Sequence, residues 1–145
     1  MLIKIVDDDQ VFVKKIKDIV YDNFKDIFLD YSIECITSNF EAHYFEKGDI
    51  FFLDIDLKEK NGIKIAEEIR ENNSNAIIIF VSAMNDMIFD SLIVQPFYFI
   101  RKDNFDRDMK IACTLIQKYI NKNHKIITFD FNGKKQLFNY QISFI

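Results

Sequence analysis

Five side chains carry chemistry at positions that a fold could bring together: Asp7, Asp8, Asp54, Ser82 and Lys102. Each stands at or just past the end of an apolar run. Leu2–Val6 stops in Asp7, Asp8 and Asp9, Ile50–Leu53 stops in Asp54, residues 76–81 stop in Ser82, and residues 97–100 lead into Arg101 and Lys102. Carboxylates held about 4 Å apart repel by roughly 4 kcal/mol per pair at an effective dielectric near 20. Such a cluster needs a cation or a raised pKa, and a divalent cation is the simpler answer. With only oxygen ligands on offer, Mg²⁺ fits better than zinc or copper, because it keeps its waters and uses few carboxylates.

Side chains at strand ends meet where a parallel sheet presents its carboxyl edge, near the point where strand order reverses. The chain has the matching pattern: apolar runs bounded by polar clusters alternate with stretches of helical period, which argues for βαβ units. Leu2–Val6 reads as the first strand. Phe12, Ile16, Ile19, Val20 and Phe24 form the apolar stripe of a helix over 11–24. Residues 32–37 alternate imperfectly through Ile33, Cys35 and Ile36, which places the second strand at or near an edge. Ser38, with Glu41 completing a capping box, opens a second helix that carries Phe40, Tyr44 and Phe45 and ends at Lys47-Gly48-Asp49. Ile50–Leu53 is the third strand, apolar enough to be central. Ile65, Ala66 and Ile69 mark a third helix over 62–70, stopped by the Asn-rich run 72–75. A fourth strand over 76–81, a fourth helix over 85–94 ended by Pro96, and a fifth strand over 97–100 complete the alternation. The last helix spans 105–121, with Phe105, Met109, Ala112, Ile116 and Ile120 on its core stripe.

Composition bounds what else the chain can be. At 145 residues, 49% hydrophobic and 29% charged, it suits one domain with a real core and little besides. No stretch reaches the apolar length of a membrane span, and no basic leader with a cleavage site opens the chain, so the expected location is the cytoplasm. Cys35 and Cys113 lie in apolar runs and are expected to be reduced, buried thiols. His43 and His124 stand far apart without cysteine neighbours, so a zinc site is not indicated. The net charge of −4 argues against a nucleic-acid surface.

The strings Ile5-Val6-Asp7-Asp8-Asp9, Phe52-Leu53-Asp54-Ile55-Asp56 with Gly62 downstream, Phe80-Val81-Ser82-Ala83, and Phe99-Ile100-Arg101-Lys102 resemble, in order, the four blocks of the receiver domain of two-component response regulators. The resemblance covers residues 1–122. It implies a doubly wound, flavodoxin-like α/β fold, a five-stranded parallel sheet of order 2-1-3-4-5 with helices on both faces. It also implies roles for individual residues. Asp54 is the phosphoacceptor, taking its phosphoryl group from a sensor histidine kinase in a Mg²⁺-dependent reaction. Asp8 and Asp54 bind Mg²⁺ directly, the Asp56 backbone carbonyl is a third ligand, and Asp7 acts through water. Lys102 pairs with one phosphoryl oxygen, and the Ser82 hydroxyl bonds another once the group is attached. Ser82 and Phe99 form the switch, which biases the face made by the fourth helix, fifth strand and last helix toward homodimerisation. Phe89, Ile93, Ile111 and Leu115 give that face a surplus of apolar residues. On this reading the chain is a signalling module, not an enzyme, that catalyses only its own phosphorylation and dephosphorylation.

Three features depart from the family pattern. Asp103 comes after Lys102 where many receivers have proline, so that loop is expected to be less constrained. Asp56 and Met84 flank the expected path of the attacking water. Asp9 makes the acidic run triple, so the choice of Asp7 and Asp8 rests on where the strand ends. Asp54-Ile55-Asp56 also resembles the DxD element of haloacid-dehalogenase-type phosphatases, but there the motif comes after the first strand, and Lys58 stands where a Thr or Val is usual. A receiver-like interaction module without phosphorylation would have lost an essential group, and all are present.

After Asn123 the period changes to two: Ile127, Phe129 and Phe131 alternate with polar residues, and Asn132-Gly133 marks a two-residue hairpin turn before a strand over 134–138 and a run over 142–145. Residues 123–145 resemble the opening strands of a LytTR-type DNA-binding domain. The expectation is a truncated output domain, with DNA bound only through the missing C-terminal part. The alternative is a closing hairpin that belongs to this domain alone.

Overall fold

The computed structural model describes residues 1–27, 30–131 and 134–141. Five strands, β1 (Leu2–Val6), β2 (Ser32–Ile36), β3 (Ile50–Leu53), β4 (Ile77–Ser82) and β5 (Tyr98–Arg101), pair in parallel in the order β2-β1-β3-β4-β5. Strand order reverses between β1 and β3, as the resemblance implies. β3 and β4 are buried along their whole length, which explains why their sequences run apolar without alternation. β2 is an edge strand and mostly exposed.

Helices cover both faces. On one side α1 (Gln10–Phe24) and the last helix pack Ile16, Val20, Phe24, Met109 and Ile116 against Ile3, Ile5, Phe52 and Ile79. On the other, α2 (Gly62–Asn72) packs Ile65 and Ile69 against Phe51, Leu53 and Phe80. Burying each such side chain is worth roughly 1.5–3 kcal/mol. The α1 stripe is rotated from the expected one. Val13 is buried, whereas Phe12 and Ile19 are only partly covered.

The expected second helix is absent. In its place stands one 3₁₀ turn, Ala42–Phe45, which suffices to bury Phe40 and Phe45 while Tyr44 stays exposed. Asn39 adopts a left-handed φ of 50°, interrupting the chain where the helix would start, and no side chain caps the turn, so the Ser38–Glu41 capping box does not form. The Lys4 ammonium, buried on β1, donates to the Tyr44 carbonyl at the end of that turn. Cys113 is buried as expected, but Cys35 is exposed, because an edge strand has a neighbour on one side only.

The expected fourth helix is broken into a 3₁₀ turn (Asn85–Met87), a single α turn, α3 (Ile88–Ser91), and a second 3₁₀ turn (Leu92–Val94). None of the three has a side-chain N-cap. The Ser91 hydroxyl bonds back to the Ile88 carbonyl at 2.6 Å, competing with the helical ladder. Pro96 disfavours helical backbone at Gln95, which turns left-handed at φ 52° and ends the segment. Arg70 of α2 holds that end down, donating to the carbonyls of Val94 (2.7 Å), Gln95 (2.9 Å), Ser74 (3.3 Å) and Ala76.

α4 (Phe105–Asn123) buries the expected stripe and runs directly into β6 (His124–Phe131), which pairs antiparallel with β7 (Lys134–Gln141) in a separate two-stranded sheet. The Asn132-Gly133 turn and the run 142–145 lie outside the described residues. Among the described residues no helix is long and apolar enough to cross a membrane.

Candidate functional site

Strand pairing sets the spacing of the acids. The ladder continues one residue beyond β1 and β3: Asp7 N–H donates to Ile36 O at 3.2 Å and Asp54 N–H to Val6 O at 2.9 Å. Asp7 and Asp54 therefore leave adjacent strands at one level, and both are buried. Asp8 comes next, partly exposed. Asp7, Asp8 and Asp54 can each offer an oxygen within 4.8 Å of the others'. Asp9 takes a different task. Its Oδ1 accepts from Val11 N at 3.0 Å and caps α1, while its own N–H donates to Asp7 Oδ1 at 2.8 Å. The triple acidic run thus divides into two residues at the site and one that starts a helix.

Lys102, 11% exposed, reaches in from the end of β5 with its Nζ 2.8 Å from Asp7 Oδ2 and 3.1 Å from Asp54 Oδ2. Burial pushes the Asp7 carboxyl up to about 7; the Lys102 hydrogen bond opposes this and the Asp54 charge adds to it. Burial alone would lower the Lys102 ammonium, but its bonds and charge interactions with Asp7 and Asp54 win, and its pKa is raised. Besides Lys102, only the exposed Lys58, 3.9 Å from Asp8 Oδ2, offsets the three acids among the described residues, which leaves the cluster short of positive charge. Asp54 Oδ1 is buried and has no hydrogen-bond partner among the described residues, a costly state for a carboxylate oxygen. An oxygen-only donor set with a buried, unsatisfied carboxylate oxygen fits a hard divalent cation such as Mg²⁺.

Ser82 is fully buried at the end of β4, its Oγ accepting from Met84 N at 3.1 Å. A cleft of about 320 Å³ brings Asp8, Asp54, Asp56, Ser82 and Lys102 to one space. Phe99 is partly buried, with its ring 6.1 Å from that of Phe80. Asp56 is exposed; its Oδ1 accepts from Lys58 N at 3.2 Å, tightening a loop in which Lys58 has φ 60°. Met84 and Met87 pack against the core. Gly62 explains its place in the second block. A Cβ there would lie 1.9 Å from the Asp54 carbonyl oxygen, so any other residue would push the Asp54 backbone out of position.

Two interactions carry no signal in a single sequence. Asp108, buried in the first turn of α4, accepts from Arg101 at Nε (2.8 Å), Nη2 (2.9 Å) and the backbone N–H (3.0 Å). The Arg101 hydrogen bond holds the Asp108 carboxyl below the usual range. Asn85 donates to Asp103 Oδ2 at 3.1 Å, tying the loop after β4 to the loop after β5. The loop expected to be loose for want of a proline is thus a 3₁₀ turn (Lys102–Asn104) held at both flanks.

Fold, strand-end acids and lysine together define a class. The family model of the response regulator receiver domain matches residues 3–114, and the chain belongs to that family. Among curated proteins, the chain is 30% identical over 100 residues to the sensory transduction protein LytT of Bacillus subtilis (strain 168), covering 69% of this chain and 40% of that protein. It is 28% identical over 119 residues to LytT of Bacillus anthracis, covering 82% and 47%. The chain therefore spans less than half the length of these relatives. Among solved structures, the signal receiver domain of a DNA-binding response regulator from Colwellia psychrerythraea 34H aligns with TM-score 0.65 and 20% identity, covering 81% of this chain and 98% of that one. The response regulator TrrA from Thermotoga maritima, in complex with Mg²⁺ and a beryllium fluoride, aligns with TM-score 0.56 and 25% identity, covering 79% and 97%.

Proposed function

We propose that this receiver accepts a phosphoryl group on Asp54 from a sensor histidine kinase and uses it to change the face around β5. The observation that carries the reading is the pairing at Asp54: one carboxylate oxygen engaged by Lys102, the other buried and without a hydrogen-bond partner among the described residues. An Asp54 oxygen attacks the phosphorus of a phosphohistidine, the N–P bond breaks, and the imidazole nitrogen keeps the electron pair and takes up a proton. Such transfer needs positioning and charge neutralisation more than an activated nucleophile. Asp8 and Asp54 would hold Mg²⁺ with the Asp56 carbonyl, Asp7 acting through water, and the metal would supply positive charge to the transferring group.

Lys102 then pairs with a phosphoryl oxygen, and the Ser82 hydroxyl, giving up its bond from Met84 N, turns to another. Phe99, lacking a hydroxyl, reports that movement through packing against Phe80. The face that responds carries Phe89 at 83% and Ile93 at 73% exposure, with Ile111 also exposed and Leu115 partly buried, and homodimerisation would cover it. In this reading the protein works in the cytoplasm, residues 123–145 begin a LytTR-type output domain, and DNA is bound only by the remainder of that output domain. The phosphatase alternative would need Asp54 after the first strand, whereas it comes after β3, and no observation favours it.

Acetyl phosphate with Mg²⁺, and then intact-mass detection, tests the assignment. One adduct on the native chain, kept in Asp56→Asn and lost in Asp54→Asn, supports it. No adduct, or one lost only in Asp56→Asn, contradicts it.

A further inference from the structure

Lys102 has a third neighbour. Its Nζ stands 4.6 Å from the centroid of the Phe12 ring, in the first turns of α1. That ring is held edge-on by Phe105 at 5.4 Å and 74°, and Phe105 is itself buried. Lys15 lies over the same pair, 5.2 Å from the Phe12 centroid and 5.9 Å from that of Phe105. Phe12 belongs to the α1 stripe by spacing but is turned to its edge, only partly buried, on the side where Lys102 enters. Its position traces back to the acidic run, because Asp9 caps α1 and so fixes the turn from which Phe12 projects. The negative face of an aromatic ring attracts an ammonium most when that ammonium is poorly hydrated, as Lys102 is at 11% exposure.

We propose that Phe12 is a positioning residue for phosphoryl transfer: its ring holds the Lys102 ammonium between Asp7 and Asp54, in the place where an incoming phosphoryl oxygen needs it. Asp103, next in the chain, leaves the lysine's own loop to be fixed from outside, by Asn85 through Asp103 and by Phe12 through the ammonium. A lysine side chain is a flexible four-carbon stem, and an ammonium left free to swing spends part of its time hydrated and away from the site. The ring restricts that swing without taking a hydrogen-bond donor from the phosphoryl group. In this role Phe12 acts through Lys102.

The inference rests on Asp54 as acceptor, and one experiment separates the two. The rate of adduct formation from acetyl phosphate at saturating Mg²⁺ is measured for the native chain, Phe12→Leu and Phe12→Tyr, with Mg²⁺ affinity and melting temperature measured alongside. Phe12→Leu keeps the bulk and loses the ring, so a rate loss of about tenfold is expected with Mg²⁺ affinity within about twofold of native. Phe12→Tyr keeps the ring face and recovers most of the rate. Equal rates for native and Phe12→Leu, or equal losses in Phe12→Leu and Phe12→Tyr, overturn the inference and leave the acceptor assignment standing. A drop in Mg²⁺ affinity that accounts for the whole loss also overturns it. No adduct on the native chain overturns both.

Discussion

α2 and the segment over 85–94 pack on the same face of the sheet, yet they are built to opposite rules. α2 is an unbroken helix of 11 residues, its N-cap Asn61 accepting from Ile63 N at 2.8 Å and five of its residues buried. The 85–94 segment is three short pieces without side-chain caps, with Phe89, Leu92 and Ile93 exposed. The first region fixes the Asp54 backbone through Gly62. The second hangs from Ser82 at one end and from Arg70 at the other. On the proposed function, a phosphoryl group attached between them would meet one wall that resists and one wall that can give.

That contrast can be broken at its rigid wall first. Gly62→Ala drives a methyl into the Asp54 carbonyl and should cost roughly 3 kcal/mol of stability, read as a lower urea midpoint at unchanged slope. A loss under about 1 kcal/mol would mean that the wall is softer than its geometry implies. Arg70→Ala should cost less, about 2 kcal/mol, because it leaves carbonyls that water can partly reach. The distinguishing readout is amide hydrogen exchange: protection should fall across 85–95 while α2 keeps its own. Uniform loss across both segments would erase the distinction between them.

A reversible effect arises from Asp7. Its pKa is raised from 3.8 to about 7 by burial, so between those values the folded chain holds a proton that the unfolded chain has released. Metal-free stability should therefore fall as pH rises through that window. Mg²⁺ competes with the same proton, so the rise in melting temperature that it produces should grow from about pH 5 to about pH 8. The stability that Asp108 gains from its downward shift by Arg101 is fully present above its usual pKa and is lost only as pH falls below it, outside this window. The smallest effect on folding belongs to the yielding wall. Phe89→Ser should change stability by no more than about 0.5 kcal/mol yet weaken self-association of the phosphorylated chain in sedimentation.

The same two regions show what a single sequence can convey. The five strands, their order by resemblance and the long helices α1, α2 and α4 are legible because a buried strand reads as a continuous apolar run and a half-buried helix as a stripe. The acids and Lys102 are legible because strand ends place them. The second and fourth helices mislead because apolar spacing does not say which residues are buried: Phe40 and Phe45 are, but Tyr44, Phe89, Leu92 and Ile93 stay exposed, and left-handed backbone at Asn39 and Gln95 interrupts both segments. Arg70 and the Arg101–Asp108 fork are invisible in the sequence because their partners are backbone carbonyls or a residue on another element. Phe12 reads as core because spacing cannot separate the middle of a stripe from its edge, and only the edge faces Lys102.

The most direct test of the account is chemical. In acetyl phosphate and Mg²⁺ the native chain should take up one phosphoryl group, Asp56→Asn should keep it, and Asp54→Asn should lose it. An adduct that survives Asp54→Asn, or none on the native chain, would contradict the account.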